Sequence, residues 1–305
     1  MSVESTNISC LSEYINAIER MKEDYPDGPV CNSPVSPGFL YRGHSNEKYA
    51  LLPSLFRVSR DMEDGLEISN RTYLSWAKET DILSAFIQEA CCYIPVPQTA
   101  LFQWAEYAQH YGVPTRLLDW SGNPLVALYF ACRGKRDIDG KVWMLHRSHY
   151  RRLAATGIPK KLRKKSVRKI AHDLLRGQMK GDSPGDSIQY PILYTPYYVD
   201  ARMSSQSSWF MIWGTEAGNL ETMLLTEDRH MEYVAEPQFE RVYGEKEDRA
   251  CWHSFSIFSD RKQSILRELD TVGINEKTLF PGLDGIGRYI EKKFRFDYAE
   301  AAELI

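Results

Sequence analysis

A helix formed by Leu125-Val-Ala-Leu-Tyr-Phe-Ala-Cys132 has no polar side to turn toward water. A surface helix keeps an apolar stripe and a polar back, whereas one that is apolar all round is enclosed by the rest of the protein. Its start is written in the sequence too. Ser121 or Asn123 can cap it, and Pro124 suits a first turn, where an amide hydrogen has no partner to lose. Any fold of this chain therefore has to surround residues 125–132. With 43% hydrophobic residues in 305, there is enough apolar material for the large core this demands. Length alone allows one large domain or two small ones.

Immediately upstream, Tyr107-Ala-Gln-His-Tyr-Gly-Val-Pro-Thr-Arg-Leu-Leu-Asp-Trp-Ser121 sets a His, an Arg, an Asp and several aromatics around a Gly-Val-Pro turn. Polar and apolar residues crowded together in this way are what a pocket wall needs. Phe39-Leu-Tyr-Arg-Gly-His-Ser45 has the same character, and the functional reading rests on these two segments meeting in space.

Taken in order, Ser12–Lys22 has Ile15, Ile18 and Met21 at helical spacing behind a Ser cap. Residues 24–38 are rich in Pro and Gly and read as loop. Phe39–His44 reads as a strand, Tyr49–Leu52 as a second extended piece, and Pro53–Arg57 as a first helical turn. From Ser59 to Cys92 the apolar residues, Ile68 and Tyr73 among them, follow a helical stripe, broken at Pro95 and Pro97. Helix resumes over Thr99–Tyr111 and stops at Gly112 and Pro114. Thr115–Trp120 reads as a tight connector into the enclosed helix. Strands are expected at Gly140–His146, over the extended stretch Ile188–Tyr198, at Ser208–Trp213 after a polar loop, at Met231–Val234 and at Cys251–Phe258. A polar Gly-rich loop fills 178–186, and helices follow at Lys262–Leu269 and Leu283–Phe294.

The sum is an α+β fold: a mixed or antiparallel sheet with a helical layer, at about 60–135, inserted between a first strand and a later run of strands. Strand and helix do not alternate, which excludes a doubly wound parallel sheet. The expected division is an N-terminal helix and loop over 1–37, one domain over 38–292 and a tail over 293–305.

Several function classes drop out. A net charge of −3 gives no global pull toward nucleic acid or lipid. No apolar run reaches the roughly 18 residues of a membrane span. Met1–Asn7 lacks a basic and then apolar leader, so a cytoplasmic protein is expected. Cys10, Cys31, Cys91, Cys92, Cys132 and Cys251 form no CxxC pair, and the histidines have no HExxH spacing. Free thiols and no metal are expected. Walker A, GxSxG and Rossmann signatures are absent, and Gly282–Gly287 has crowded glycines without a strand before it.

Among the polar candidates, Arg42 lies inside an apolar strand, where a guanidinium needs a fixed partner or an anionic ligand. Asp119 is a candidate partner. Tyr41 or His44 could stack or donate beside it, and Gly43 allows close backbone approach. Arg116 and Asp119 are three apart and could pair with each other. His110 and Tyr111 end a helix, where a His is favoured by the helix dipole without any catalytic role. Gln206 can both donate and accept, at a sugar hydroxyl or a base edge. Lys160, Lys161, Arg163, Lys164, Lys165, Arg168 and Lys169 form a basic run that would attract a polyanion or simply face solvent.

These motifs resemble the FRG domain, a family widespread in bacteria and phages. Tyr41-Arg-Gly-His-Ser, Leu52-Pro-Ser-Leu-Phe-Arg57, Gln109–Ser121 and Asn123–Ala131 carry the likeness. Arg202 with Gln206 and Phe210, and Leu279–Ile290, resemble its later elements, so the likeness runs over about 38–292. Here the name-giving aromatic is Tyr41 instead of Phe, and Ser208 replaces a common Gly.

The Tyr-Arg-Gly strand is similar to the first motif of ADP-ribosyltransferases, which implies that fold and NAD as ligand. On that implication Arg42 holds the NAD phosphates or ribose. Tyr41 or Tyr111 stacks on nicotinamide, with Gly43, His44, His110 and Arg116 around the dinucleotide. Arg42, Asp119 and Gln206 take the catalytic roles on this implication; Gln206-Ser-Ser208 lacks the Glu usual there, and Glu221, Glu232 and Glu236 lie in no motif. The implied activity is ADP-ribosyl transfer or NAD hydrolysis by a toxin or phage-defence effector, with a protein or nucleic-acid acceptor. Two other readings stay open: a nucleic-acid or nucleotide binder, and a non-catalytic ligand-recognition module.

Overall fold

The computed structural model describes residues 5–24, 38–57, 62–63, 66–67, 76–94, 100–159, 161–176, 188–198, 200–214, 218–225 and 252–302. The expected loops at 25–37 and 178–186, the strand at 231–234, Cys31, Ile68, Tyr73, Pro95, Pro97, Lys160, Glu232, Glu236 and Cys251 lie outside the described residues.

Seven strands form one sheet: β1 (Ser5–Ile8), β2 (Phe39–His44), β3 (Leu117–Ser121), β4 (Gly140–His146), β5 (Ile192–Tyr194), β6 (Ser208–Ile212) and β7 (Trp252–Ile257). Their order is β1-β7-β4-β2-β3-β6-β5. Only β1 and β7 run parallel, and every other neighbouring pair is antiparallel. The α+β class with a mixed sheet is as the patterning predicts.

Two strands escaped that patterning. Ser5–Ile8 is a polar edge strand with only Ile8 buried. Leu117–Ser121, read as a connector, is an inner strand, because Leu117, Leu118 and Trp120 supply both buried faces. Residues 62–63 and 66–67 form a small ribbon where helix was expected. Of the 188–198 stretch only 192–194 pairs.

The helices are α1 (Leu11–Asp24), α2 (Trp76–Ala90), α3 (Leu101–His110), α4 (Pro124–Cys132), α5 (Arg147–Thr156), α6 (Val167–Leu175), α7 (Ala201–Ser205), α8 (Leu220–Leu225), α9 (Lys262–Thr271), α10 (Glu276–Leu279) and α11 (Leu283–Ala302). α4 is the enclosed helix, capped by Asn123, whose side chain accepts from the Leu125 amide, with Pro124 in its first turn. Alternation along the strands sorts the core into three bodies. Phe39, Tyr41, Val142, Met144 and Phe255 face α1, α4 and α9. On the same side, Leu117, Phe210 and Ile212 face α3 and α6. The opposite face is a single body around Leu40, Trp120, Trp143, Trp209 and Trp252, in which the Trp143 and Trp252 rings stack at 4.9 Å. One face of the sheet thus carries two helical covers side by side, and a seam runs between them over the joint of β2 and β3.

Contact between α4 and the sheet is backbone on backbone. A Cβ added at Gly43 would lie 1.9 Å from the Ala127 carbonyl oxygen and 2.7 Å from the Ala131 nitrogen. At Gly140 it would lie 2.5 Å from the Ala131 oxygen. A methyl group at Gly43 has nowhere to go unless α4 lifts off. Gly43→Ala is expected to cost about 3 kcal/mol or more, read from the urea midpoint. A loss below about 1 kcal/mol would show that α4 can shift freely and that the contact is not the constraint.

Candidate functional site

β2 pairs with β4 along all six of its residues, but with β3 only at Tyr41 and Ser121. Past that pair the two strands part, and Arg42 fills the parting. Its Nη1 donates to the Asp119 carbonyl at 2.5 Å, where a continuous ladder would have placed a backbone amide. Its Nε donates to His44 Nε2 at 3.1 Å, and Nη1 stands 3.8 Å from Asp119 Oδ2. Burial pushes the Arg42 guanidinium down to about 10, with Asp119 opposing the shift. Arg57, whose Nε donates to the Leu52 carbonyl, adds a second guanidinium near Asp119.

Asp119 faces the seam with half of its side chain exposed. Gln109, near the end of α3, donates to Asp119 Oδ2 at 2.8 Å and accepts from Thr115 Oγ1 at 2.5 Å. This relay aims the carboxylate from the sequence-near side while Arg42 holds its backbone. Next along the seam, His110 Nε2 lies 3.5 Å from Asp200 Oδ1. Burial lowers the His110 imidazole, with Asp200 and Asp119 pulling it up and Arg202 pushing it down, so all four groups share one region. Asp200 caps α7 through the Arg202 amide.

Arg42 thus touches His44 and Asp119, and Asp119 in turn lies close enough to His110 to act on it. The other candidates are placed differently. Tyr41 points away from Arg42 into the core under α1 and α4, so its ring is closed to a ligand. The close backbone approach at Gly43 is made by α4 itself. Arg116 does not pair with Asp119. It is buried against Glu79 of α2, with Nε to Oε2 at 2.6 Å, a further contact from Nη2 and the Arg116 amide on Oε1. A guanidinium and a carboxylate buried together neutralise each other and tie α2 to β3. Tyr111 is exposed beside His110, with its ring edge-on at 5.0 Å. Gln206 Nε2 is turned to the Leu279 carbonyl at 3.0 Å, and its own carbonyl accepts from Ser121 Oγ at 2.7 Å. Glu221 lies on α8 beside Asn219, away from this face.

Gln109, Arg57 and Asp200 were not singled out from the sequence as site residues. Gln109 and Arg57 stand within the quoted motifs, which is the signal that could have found them. Nothing local marks Asp200, or marks Glu79 as the partner of a residue 37 positions away.

In the basic run, Lys165 and Lys169 both bind Asp173, at 3.0 and 3.1 Å, and Arg168 lies 3.8 Å over the Tyr197 ring. These three cations are thereby engaged within the protein. Among the described residues there is no metal-binding cluster and no helix long and apolar enough to cross a membrane. Cys10, Cys91, Cys92 and Cys132 are free thiols.

The fold is an α+β domain on a mixed sheet that parts at an Arg-Gly strand, with the Asp119 carboxylate half exposed at the parting. The sequence model of the FRG domain matches residues 37–140, so the chain carries an FRG domain over that span. The match takes in β2, α3, β3 and α4, while the likeness at Arg202–Phe210 and Leu279–Ile290 lies beyond it. No curated protein and no solved structure matches the chain.

Two outcomes follow from the ion pairs and the buried imidazoles. Glu79→Gln leaves Arg116 buried without its countercharge and is expected to cost about 3–5 kcal/mol in urea unfolding. Asp119→Asn, at a half-exposed position, should cost far less. Burial, then Arg42 and Arg57, drive His44 well below its ordinary value. The folded protein thus refuses a proton that the unfolded chain accepts near pH 6.5, so stability falls as pH drops below that point, by up to about 1.4 kcal/mol per pH unit for one proton. His44→Gln should flatten that slope in urea midpoints taken at pH 7, 6 and 5. An unchanged slope would remove His44 as its source.

Proposed function

We propose that the seam binds NAD and that the chain is an ADP-ribosyltransferase-like enzyme, transferring ADP-ribose to an acceptor or to water, in the manner of a toxin or defence effector. The observation that carries this reading is Asp119: a half-exposed carboxylate aimed by Gln109 and backed by Arg42. Breaking the bond between the ribose C1′ and the nicotinamide nitrogen sends the electron pair out with nicotinamide and leaves positive charge on the ribose. A fixed carboxylate next to that carbon lowers the barrier because it need not reorganise. The acceptor oxygen or nitrogen then bonds to C1′ and releases its proton, which the same carboxylate can take up and pass to solvent. Tyr111, exposed at the rim, has the freedom to stack on nicotinamide that the buried Tyr41 lacks. Arg42, with Nε and Nη1 engaged inside the protein, positions the Asp119 backbone and keeps the local field positive.

The polyanion reading is weakened by the engagement of Lys165, Lys169 and Arg168. The test is to incubate the chain with NAD, follow nicotinamide release and record the melting temperature. NAD at 100 times its Kd should stabilise the fold by about 2.7 kcal/mol. Asp119→Asn should keep that stabilisation and lose at least tenfold in release. Stabilisation without release from the wild type would favour a ligand-recognition module. Neither effect, across protein and nucleic-acid acceptors, would end the NAD reading.

A further inference from the structure

Three guanidinium groups from three separate elements converge on one aromatic ring. Arg133, just past the end of α4, lies 4.7 Å from the centroid of Phe280, Arg288 of α11 lies 5.3 Å away and Arg202 of α7 lies 5.9 Å away. Any two of them are no farther apart than two such distances laid end to end. Among the described residues, none of the three forms an ion pair with a carboxylate. Glu276, which acts on Tyr129 together with Arg133 and Arg288, is already bound to Lys292 at 2.8 Å. Phe280 is half buried, and the attraction of a single ring does not offset the mutual repulsion of three charges. Three guanidinium groups on one ring, none of them in an ion pair among the described residues, are complementary to a compact anion.

The ring that gathers them is fixed in place. Ser205 Oγ and Gln206 Nε2 both donate to the Leu279 carbonyl, at 3.1 and 3.0 Å, which locks the turn before Phe280 onto α7. Phe130 of α4 meets the Phe280 ring edge-on at 6.1 Å. Gln206 is therefore a positioning residue for this cluster. Arg202 also links the cluster to the seam, since it acts on His110 together with Asp200 and Asp119.

We propose that Arg133, Arg202 and Arg288, arranged around Phe280, form a binding site for a pyrophosphate group. Guanidinium forks match phosphate oxygens two at a time, and three of them suit two linked phosphates better than one. An extended nucleic-acid backbone would call for a stripe of cations, and here the three share a single ring. As the phosphate subsite for NAD this inference rests on the reading above, with the reactive ribose at Asp119 and the phosphates at Phe280. The anion site itself is testable without it.

The experiment is calorimetric titration of the full chain with inorganic pyrophosphate, with single orthophosphate and with NAD. It compares the wild type with Arg288→Gln, the double variant Arg202→Gln/Arg288→Gln, and Arg136→Gln, which removes one exposed charge that is not over the Phe280 ring. Arg288 is exposed on its helix, so that variant keeps the fold even if the double variant does not. Pyrophosphate should bind more tightly than orthophosphate. Its affinity should fall at least threefold in Arg288→Gln and at least tenfold in the double variant, and should be unchanged in Arg136→Gln. Equal affinity in all four proteins, or no pyrophosphate binding by the wild type, overturns the site. Arginine-dependent pyrophosphate binding with no NAD binding upholds the site and removes the NAD reading alone.

Discussion

The contact on which the rest of the structure depends is the backbone of α4 lying on the backbone of β2. It exists because Gly43 has no side chain and because every side of α4 is apolar. With the helix seated there, Tyr41 and Phe39 close under it, α1 and α9 close over it, and the first half of one sheet face is covered. Tyr14 of α1 donates to the Pro124 carbonyl at the start of α4, and Lys262 of α9, fully buried, donates to the carbonyls of Ser45 and Lys135 at its other end. Buried polar groups with their partners supplied in this way fix one register.

A second cover, α3 with α6, lies over the other half of the same face, and it is joined to the sheet differently. Glu79 of α2 and Arg116, just before β3, form a buried ion pair, and Gln109 reaches from α3 to Asp119. Two covers built on separate cores leave a seam, and the sheet beneath them parts at the same place. The polar residues of the seam are those that neither core could absorb. Arg42 is the hinge between the two halves: its charge sits in a position meant for a ladder bond and is satisfied by a carbonyl, an imidazole and a half-exposed carboxylate.

Much of this was legible beforehand where local physics decides. The enclosed helix with its Asn-Pro start, the strands at 39–44, 140–146 and 208–212, and the terminal helices follow from hydrophobic period and capping residues. Leu117–Ser121 was misread because a strand buried on both faces does not alternate, and because Gly112 and Pro114 just before it look like the start of a connector. The polar Ser5–Ile8 gave no period at all, since an edge strand needs to bury only one residue.

By itself the sequence determined that residues 125–132 would be enclosed and that the chain would be α+β with a mixed or antiparallel sheet, and it offered Asp119 as one candidate partner for Arg42. Tertiary structure decided which charges are free. Arg116 could pair with Asp119, three residues away, or with any acid that long-range packing delivered, and α2 delivered Glu79. Tyr41 and Arg42 are neighbours in sequence, yet a strand turns them to opposite faces, one into the core and one into the parting. The three arginines at Phe280 come from positions 133, 202 and 288, and no local pattern joins them. Local propensity acts within a turn or two of chain, whereas Coulomb and hydrogen-bond partners are chosen by distance in space, which only the packed fold sets.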